Sequence, residues 1–257
     1  MIRKALPSDK PTILKFCKHT FSWGDYIQDV WDYWLLDGGL LVVLKQNPVG
    51  IIHGVFFKNQ VWIEGIRINP KFRRNGLASK MVKKIELMAK EKKISFSFML
   101  IDSENKPSLS MAKKLNYKIF QSWNFYTLSP KKTSKYQVSM GNVIFEKKFT
   151  HYVKSWRWIP LDKPLLDSLI SKNKIIYSGK DRKTIAILED SEHFKNTLIV
   201  TIFGGSQNSI KNIISYLQNF GKDNNYQRLQ ILTRENLPTV KGLDLKISFH
   251  LMQKVLS

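Results

Sequence analysis

Cysteine, long apolar runs and acidic residues are all scarce in this sequence. Its 257 residues contain one cysteine, Cys17, which excludes an internal disulfide framework and a cysteine-cluster zinc site. No apolar run approaches the roughly 18 residues of a membrane-spanning helix, and the first ten residues lack the hydrophobic core of a secretory signal. We therefore expect a cytoplasmic protein with no membrane partner and no metal site, and a buried Cys17 thiol on the first helix.

Acidic side chains are outnumbered about two to one, with 20 Asp and Glu against 42 Lys and Arg, and the net charge is +22. Such a balance favours polyanionic partners, among them nucleic acid, phosphorylated small molecules and acidic surfaces. The lysines are scattered over predicted helix exteriors, and no standard nucleic-acid module is apparent. Nucleic acid is thus allowed as a partner but not favoured, and the oligomeric state is not predicted.

The stretch from Ile63 to Val82 organises the predicted fold. Alternating apolar residues predict a strand that ends at Asn69-Pro70, and helical spacing predicts a helix that begins at Gly76. Between them lies a basic, small-residue turn. A helix N-terminus exposes backbone N–H groups without helical acceptors, and two arginines beside it would complete a phosphate site.

This stretch resembles the signature of the GNAT superfamily of acetyltransferases. The sequence Ile68-Asn69-Pro70 is followed by Arg73-x-x-Gly76-x-Ala78. The resemblance implies that acetyl-CoA is the acetyl donor and that the main chain of Ile66 and Ile68 holds its pantetheine arm. It also implies a pyrophosphate-binding loop made of Arg73, Arg74, Asn75, Gly76, Leu77 and Ala78. The alternative is an ordinary strand-to-helix turn with solvated arginines.

A second signature resembles the other half of the GNAT pattern. Asn105 opens a predicted helix that ends in Leu115-Asn116-Tyr117, where asparagine can take the left-handed conformation usual for glycine. The resemblance implies that Asn105 and Ser108 contact the pantetheine arm. The position at which many family members carry a tyrosine, the proton donor to the departing thiolate, is Ala112 here. Either another hydroxyl such as Tyr26 replaces it, or water does, or protonation of the thiolate is not critical.

The predicted fold class is α/β (α+β), a GNAT fold with a mixed, mostly antiparallel sheet flanked by helices. We expect an acetyl-CoA-binding catalytic domain over residues 1–129. The pattern of residues 130–257 predicts a smaller α/β domain, which we interpret as a degenerate GNAT-like half. Its turn after Phe203, Gly204-Gly205, lacks arginines, so no second cofactor is assigned.

Residues 21–36 are rich in aromatic and acidic side chains, among them Trp23, Asp25, Tyr26 and Trp31. In GNAT enzymes this region usually covers the acceptor site, and such a lining would suit a small cationic amine. We therefore assign Asp25, Tyr26 and Trp31 to the substrate. The alternative is that the tryptophans are core residues and the aspartates are helix caps.

Glu64 is the carboxylate on the strand before the loop. If residues 62, 64 and 66 share a face, Trp62 and Glu64 flank the acetyl group and Glu64 acts as the general base. An ion pair with a lysine or with Arg67 is the alternative for Glu64, and His53 is the second candidate base.

Short motifs also resemble the histidine N-acetyltransferase-like subgroup: Asp25-Tyr26, Trp31-x-x-Trp34 and Glu64-Gly65-Ile66-Arg67. This resemblance implies acetylation of the α-amine of free histidine or a related amino acid, with Arg67 or a lysine of the second half receiving the carboxylate. A protein N-terminus or lysine as acceptor, and a non-catalytic protein that senses acyl-CoA or binds nucleic acid, remain alternatives.

Overall fold

The computed structural model describes residues 1–21, 24–133, 135–141, 143, 145–146 and 149–256. The chain divides into two compact units. Unit 1 comprises Met1–Phe120 together with His250–Ser257, and unit 2 comprises Gln121–Phe249. This division differs in two ways from the expected one at residue 129: the boundary follows Phe120, and the last residues of the chain belong to unit 1. There Met252 and Leu256 are buried in its core.

The elements are numbered in chain order. Within the described residues the helices are α1 Lys10–Cys17, α2 Ile27–Leu36, α3 Leu77–Glu91, α4 Lys106–Lys114, α5 Lys163–Ser171 and α6 Gln207–Asp223. The strands of unit 1 are β1 Ile2–Lys4, β2 Leu40–Leu44, β3 Pro48–Phe57, β4 Gln60–Ile68 and β5 Phe96–Asp102. The next strands are β6 Lys118–Leu128, β7 Ser139–Met140, β8 His151–Lys154, β9 Arg157–Pro160 and β10 Ile175–Ser178. The last are β11 Thr184–Asp190, β12 Thr197–Phe203, β13 Arg228–Thr233 and β14 Leu243–Val255.

The sheet of unit 1 has the strand order β1-β2-β3-β4-β5-β14. The pairs β1·β2, β2·β3 and β3·β4 are antiparallel, and β4·β5 is parallel because α3 connects these two strands. Together with unit 2, this confirms the predicted fold class of a mixed, mostly antiparallel sheet flanked by helices. Among the described residues, no helix combines the length and apolar character needed to cross a membrane.

Helices cover both faces of the unit 1 sheet. On one face, α3 buries Met81, Val82 and Ile85 against β3 and β4, each at roughly 1.5–3 kcal/mol of stabilisation. On the other face, α1 and α2 bury a second core that includes Cys17 and Trp34. Cys17 is only 1% exposed, which confirms the prediction of a buried thiol.

Unit 2 repeats the strand-helix-strand arrangement that joins β4 to β5. Its strand order is β14-β6-β13-β12-β11-β10-β7, with β12 and β13 parallel and connected by α6. The apolar face of α6 packs on this sheet through Ile210, Ile213, Ile214 and Leu217. A separate hairpin, β8·β9, belongs to the same unit.

Candidate active site

Strand β4 contains a β-bulge at Gly65. His53 pairs with Glu64 and Ile51 pairs with Arg67, so β4 holds one extra residue between these two pairs. Gly65 has φ +65°, a left-handed conformation that costs glycine little because it has no Cβ. The bulge changes the direction of the side chains that follow it.

Side chains on β4 change faces across this bulge. Trp62 and Glu64 lie together on one face, with Trp62 Nε1 donating to Glu64 Oε2 at 3.0 Å. Ile66 packs into the α3 core with Ile63, whereas Arg67 points to the α2 side. The expectation that residues 62, 64 and 66 share a face is therefore wrong at Ile66, because the extra residue reverses the alternation.

Beyond the first part of β4, the described strands β4 and β5 separate. Their parallel register runs from Gln60 opposite Phe96 to Ile63 opposite Met99, yet both strands continue beyond these residues. An opening therefore forms between the C-terminal ends of the two strands, next to Ile66.

The backbone of Ile66 and Ile68 faces this opening. Asn69 N–H donates to a β3 carbonyl at 2.9 Å, and in an antiparallel ladder every second residue points its N–H and C=O at the partner strand. Residues 67 and 69 therefore point at β3, and residues 66 and 68 point away from it. The carbonyl oxygens of Ile66 and Ile68 accept bonds of 3.1 Å from Arg67 and Arg73. Their N–H groups are directed into the opening.

The loop after β4 leads to an open helix N-terminus. Arg74 and Gly76 both adopt left-handed conformations, with φ of 65° and 69°. A Cβ placed on Gly76 would meet no atom within 4 Å, so a ligand can approach the backbone here. The first helical bond joins Lys80 N to Gly76 O at 3.0 Å, and the N–H groups of Leu77 and Ala78 precede it.

Side chains of the loop support this arrangement. Arg73 and Arg74 are exposed beside the helix N-terminus, and Arg73 Nε also anchors the loop to Ile68 O. The Asn75 amide donates to the carbonyl oxygens of Phe72 and Arg73 at 3.3 and 3.2 Å, so it braces the loop. Positive side chains, the positive helix end and N–H donors together form a site suited to a diphosphate.

Helix α4 has the predicted cap at each end. The Asn105 Oδ1 atom accepts from Ser108 N at 3.1 Å, as an N-cap does. Asn116 has φ +68°, and Tyr117 N donates back to Ala112 O at 3.0 Å, as in a Schellman motif. Ala112 is fully buried, and its methyl group brings no hydroxyl to the site.

Glu64 belongs to a hydrogen-bonded row of three titratable side chains, which we call the Asp37–His53–Glu64 row. Glu64 Oε1 lies 2.9 Å from His53 Nδ1, and His53 Nε2 lies 2.8 Å from Asp37 Oδ1. The His53 side chain is fully buried, whereas Glu64 is 14% and Asp37 40% exposed. The indole of Trp34 stacks on the His53 ring at 4.5 Å between centroids. The sequence did not predict that the two candidate bases, Glu64 and His53, are hydrogen-bonded to each other.

Arg67 and Asp25 form a buried ion pair. Arg67 Nε and Nη2 lie 2.7 and 3.2 Å from the two oxygens of Asp25, and the side chains are 14% and 2% exposed. The guanidinium also lies over the rings of Phe21 and Tyr26. Each charge was predicted to face a substrate, but each has its partner within the protein. Glu64 is hydrogen-bonded to His53 and does not form the alternative ion pair with Arg67.

Tyr26 lies beside this ion pair at the start of α2. Burial raises the pKa of Tyr26 to about 12, which outweighs the smaller, opposite effect of Arg67. The phenol therefore keeps its proton at neutral pH. Trp31 is fully buried in the core, at 0% exposure. It therefore does not belong to the predicted substrate lining. Trp23 lies outside the described residues.

Comparison with known proteins shows which family the centre of unit 1 matches. Residues 10–117 match the family described as Acetyltransferase (GNAT). This segment is a GNAT acetyltransferase domain. The matched residues extend from α1 to the C-terminal end of α4, and so include the loop at Gly76 and the Asp37–His53–Glu64 row. A search of curated proteins gives no match.

Solved structures extend the similarity of fold beyond the GNAT domain. A protein of Thermoplasma acidophilum assigned as an acetyltransferase has a TM-score of 0.69 and 18% identity, covering 99% of both chains. A GCN5-related N-acetyltransferase of Sphaerobacter thermophilus has a TM-score of 0.68 and 10% identity, covering all of this chain and 95% of the other. Another from Anabaena variabilis has a TM-score of 0.53 and 12% identity, covering all of this chain and 73% of the other. At these identities the similarity concerns the fold.

The matched family uses acetyl-CoA as its donor, and residues 10–117 are thus an acetyl-CoA-dependent N-acyltransferase domain. The residues of the domain fit this cosubstrate. The open backbone at Gly76, the arginines beside it and the N–H groups directed into the strand opening offer donors to a diphosphate and to an amide-containing arm.

The corresponding turn of unit 2 has different properties. There β12 and β13 stay paired from Thr197 opposite Arg228 to the end of β13. Gly204 N donates to the Glu235 carboxylate at 3.3 Å, so an acidic side chain already occupies a loop N–H. A Cβ on Gly205 would overlap Thr184, because the backbone is closely packed there. The turn of unit 2 therefore offers a ligand less space and fewer free donors than the loop at Gly76.

Proposed function

We propose that the chain transfers the acetyl group of acetyl-CoA to a small primary amine, with the α-amine of free histidine or a related amino acid as the leading candidate. The observation that carries the proposal is the position of Glu64. It lies on β4 immediately before the bulge, where β4 and β5 separate, with its carboxylate held by Trp62 and His53.

Each residue has a chemical task in this proposal. Acetyl-CoA supplies an activated thioester carbonyl. The N–H groups of Ile66 and Ile68 bind and orient the donor in the opening, and N–H donors at such a position can polarise a carbonyl oxygen. Glu64 takes a proton from the amine, directly or through water, as the new C–N bond forms. Tyr26 is the candidate proton donor to the thiolate that leaves, and its raised pKa makes it a weaker acid than an exposed tyrosine.

The substrate class rests on the sequence resemblance, and the ion pair at Arg67 bears on how an amino-acid substrate would be held. Because Arg67 is paired with Asp25, the carboxylate of an amino acid would need another cation. Histidine and histamine carry the same imidazole and primary amine, and they differ by that carboxylate. Comparing them therefore separates an amino-acid acceptor from a simple amine.

The experiment measures release of the CoA thiol with histidine, histamine, other free amino acids, polyamines and short peptides. Wild type is compared with Glu64→Gln, and Glu91→Gln is the control because Glu91 is an exposed carboxylate on α3. We expect turnover with a free amino acid, a loss of roughly 10²–10⁴-fold in kcat for Glu64→Gln, and wild-type rates for Glu91→Gln.

Other outcomes would change the proposal in defined ways. Turnover with peptides alone would identify a protein acceptor. Turnover that Glu64→Gln leaves intact would remove Glu64 as the base. Binding of acetyl-CoA without turnover for any amine would favour the non-catalytic alternative.

A further inference from the structure

The Asp37–His53–Glu64 row connects the candidate base to a carboxylate on the far side of a buried imidazole. Glu64 and His53 lie on neighbouring strands, and Asp37 follows the last residue of α2. Asp37 Oδ1 also accepts from Gly39 N at 2.9 Å, which fixes the carboxylate in front of His53 Nε2. The stacked Trp34 ring holds the imidazole plane.

The number of protons in this row decides which of its contacts are hydrogen bonds. A neutral imidazole carries one N–H, so it donates to one carboxylate and turns a lone pair toward the other. An imidazolium carries two N–H groups and donates to both. In the tautomer that donates from Nε2 to Asp37, the Nδ1 lone pair faces Glu64. Gain of one proton at Nδ1 then makes a hydrogen bond to Glu64, while Asp37 stabilises the charge on the ring.

We propose that His53 and Asp37 are positioning residues for acetyl transfer, and that the amine proton taken up by Glu64 is stored on His53 Nδ1. The inference rests on the proposed function. The proton leaves the amine as the C–N bond forms, passes from Glu64 to Nδ1, and returns through Glu64 to solvent after the products leave. The row gains and loses one proton in each cycle, and no electron is transferred. The roles resemble those of the histidine and aspartate of a catalytic triad.

Asp37→Asn tests this proposal with little change in shape. The amide oxygen can still accept from Gly39 N and from His53 Nε2, but the negative charge opposite the ring is lost. Asp29→Asn is the matched control, because it removes an exposed carboxylate from α2, the helix that ends just before Asp37. We expect Asp37→Asn to lower kcat by 10- to 100-fold with the KM for acetyl-CoA unchanged, Asp37→Glu to recover part of that loss, and Asp29→Asn to match wild type.

A double-mutant cycle excludes a merely structural role. If the proton reaches His53 through Glu64, Asp37→Asn should have no further effect on kcat when it is added to Glu64→Gln. An equal effect in both backgrounds, or a raised KM with lower stability, would overturn the proposal, as would an Asp37→Asn enzyme within twofold of wild type. A wild type that acetylates no amine would instead refute the proposed function, and the inference with it.

Discussion

Replacing Gly65 by alanine tests the bulge that shapes the site. A Cβ at this position would lie 2.4 Å from two atoms of the Trp34 indole and 3.6 Å from Ile27 Cδ1. Trp34 is 2% exposed and stacked on His53, so it cannot move aside without disturbing the Asp37–His53–Glu64 row. The substitution should therefore reduce both stability and activity.

The size of the effect has two parts. The left-handed conformation costs alanine about 1–2 kcal/mol, and overpacking of a filled core costs roughly 1–3 kcal/mol more. Gly76→Ala provides the control, because Gly76 has a similar φ of 69° and open space around it. Gly76→Ala should lose only the conformational part of this stability. It should also raise the KM for acetyl-CoA, because the added methyl group faces the diphosphate.

Urea unfolding measures the difference between the two variants. With a denaturant slope of about 2 kcal/mol per molar, the combined loss of roughly 2–5 kcal/mol for Gly65→Ala lowers the midpoint by about 1–2.5 M. The conformational part alone lowers it by about 0.5–1 M for Gly76→Ala. Equal midpoints for the two variants, with full activity in Gly65→Ala, would refute the assignment of the bulge and its contact with Trp34.

Three further predictions concern other buried groups. Burial raises the pKa of Cys17 to about 12, so at pH 8 about one thiol in 10⁴ is ionised; a thiol reagent should react with the unfolded protein and not with the native one, and rapid native reaction would contradict this. Lys254→Met should lower the free energy of unfolding by about 3–5 kcal/mol, because it leaves the buried Glu86 without the amine 2.7 Å away. In urea unfolding, the double variant with Glu86→Gln should regain much of that loss, and no recovery would contradict this. Burial lowers the pKa of His151 to about 4, so the unfolded chain binds a proton first as pH falls. Stability should therefore decrease by up to about 3 kcal/mol between pH 6.5 and 4. His151→Gln should flatten that pH dependence of stability, and an unchanged slope would contradict the prediction.

Local sequence signals predicted the parts of the site that depend on local geometry. The conformation of the loop at Gly76 follows from glycine at a left-handed position before an amphipathic helix. The caps of α4 follow from the preferences of Asn105 and Asn116. The fold class was also predictable from local signals, since the periods of the apolar residues mark most strands and helices of both units.

Contacts between distant residues could not be predicted in this way. Alternation along β4 placed Ile66 beside Glu64, and a single bulge at Gly65 reversed it. Asp25 and Arg67 are 42 positions apart in sequence, and no spacing rule indicates that they neutralise each other. Nor does the sequence around Met252 indicate that the last residues of the chain pack in the core of unit 1.

The most direct test of the central claim is a crystal structure with bound CoA. We expect the diphosphate at the N–H groups of Leu77 and Ala78 beside Arg73, and the pantetheine arm against the N–H groups of Ile66 and Ile68 in the opening between β4 and β5. CoA bound at the Gly204-Gly205 turn, or bound away from the opening of the GNAT domain, would contradict the account.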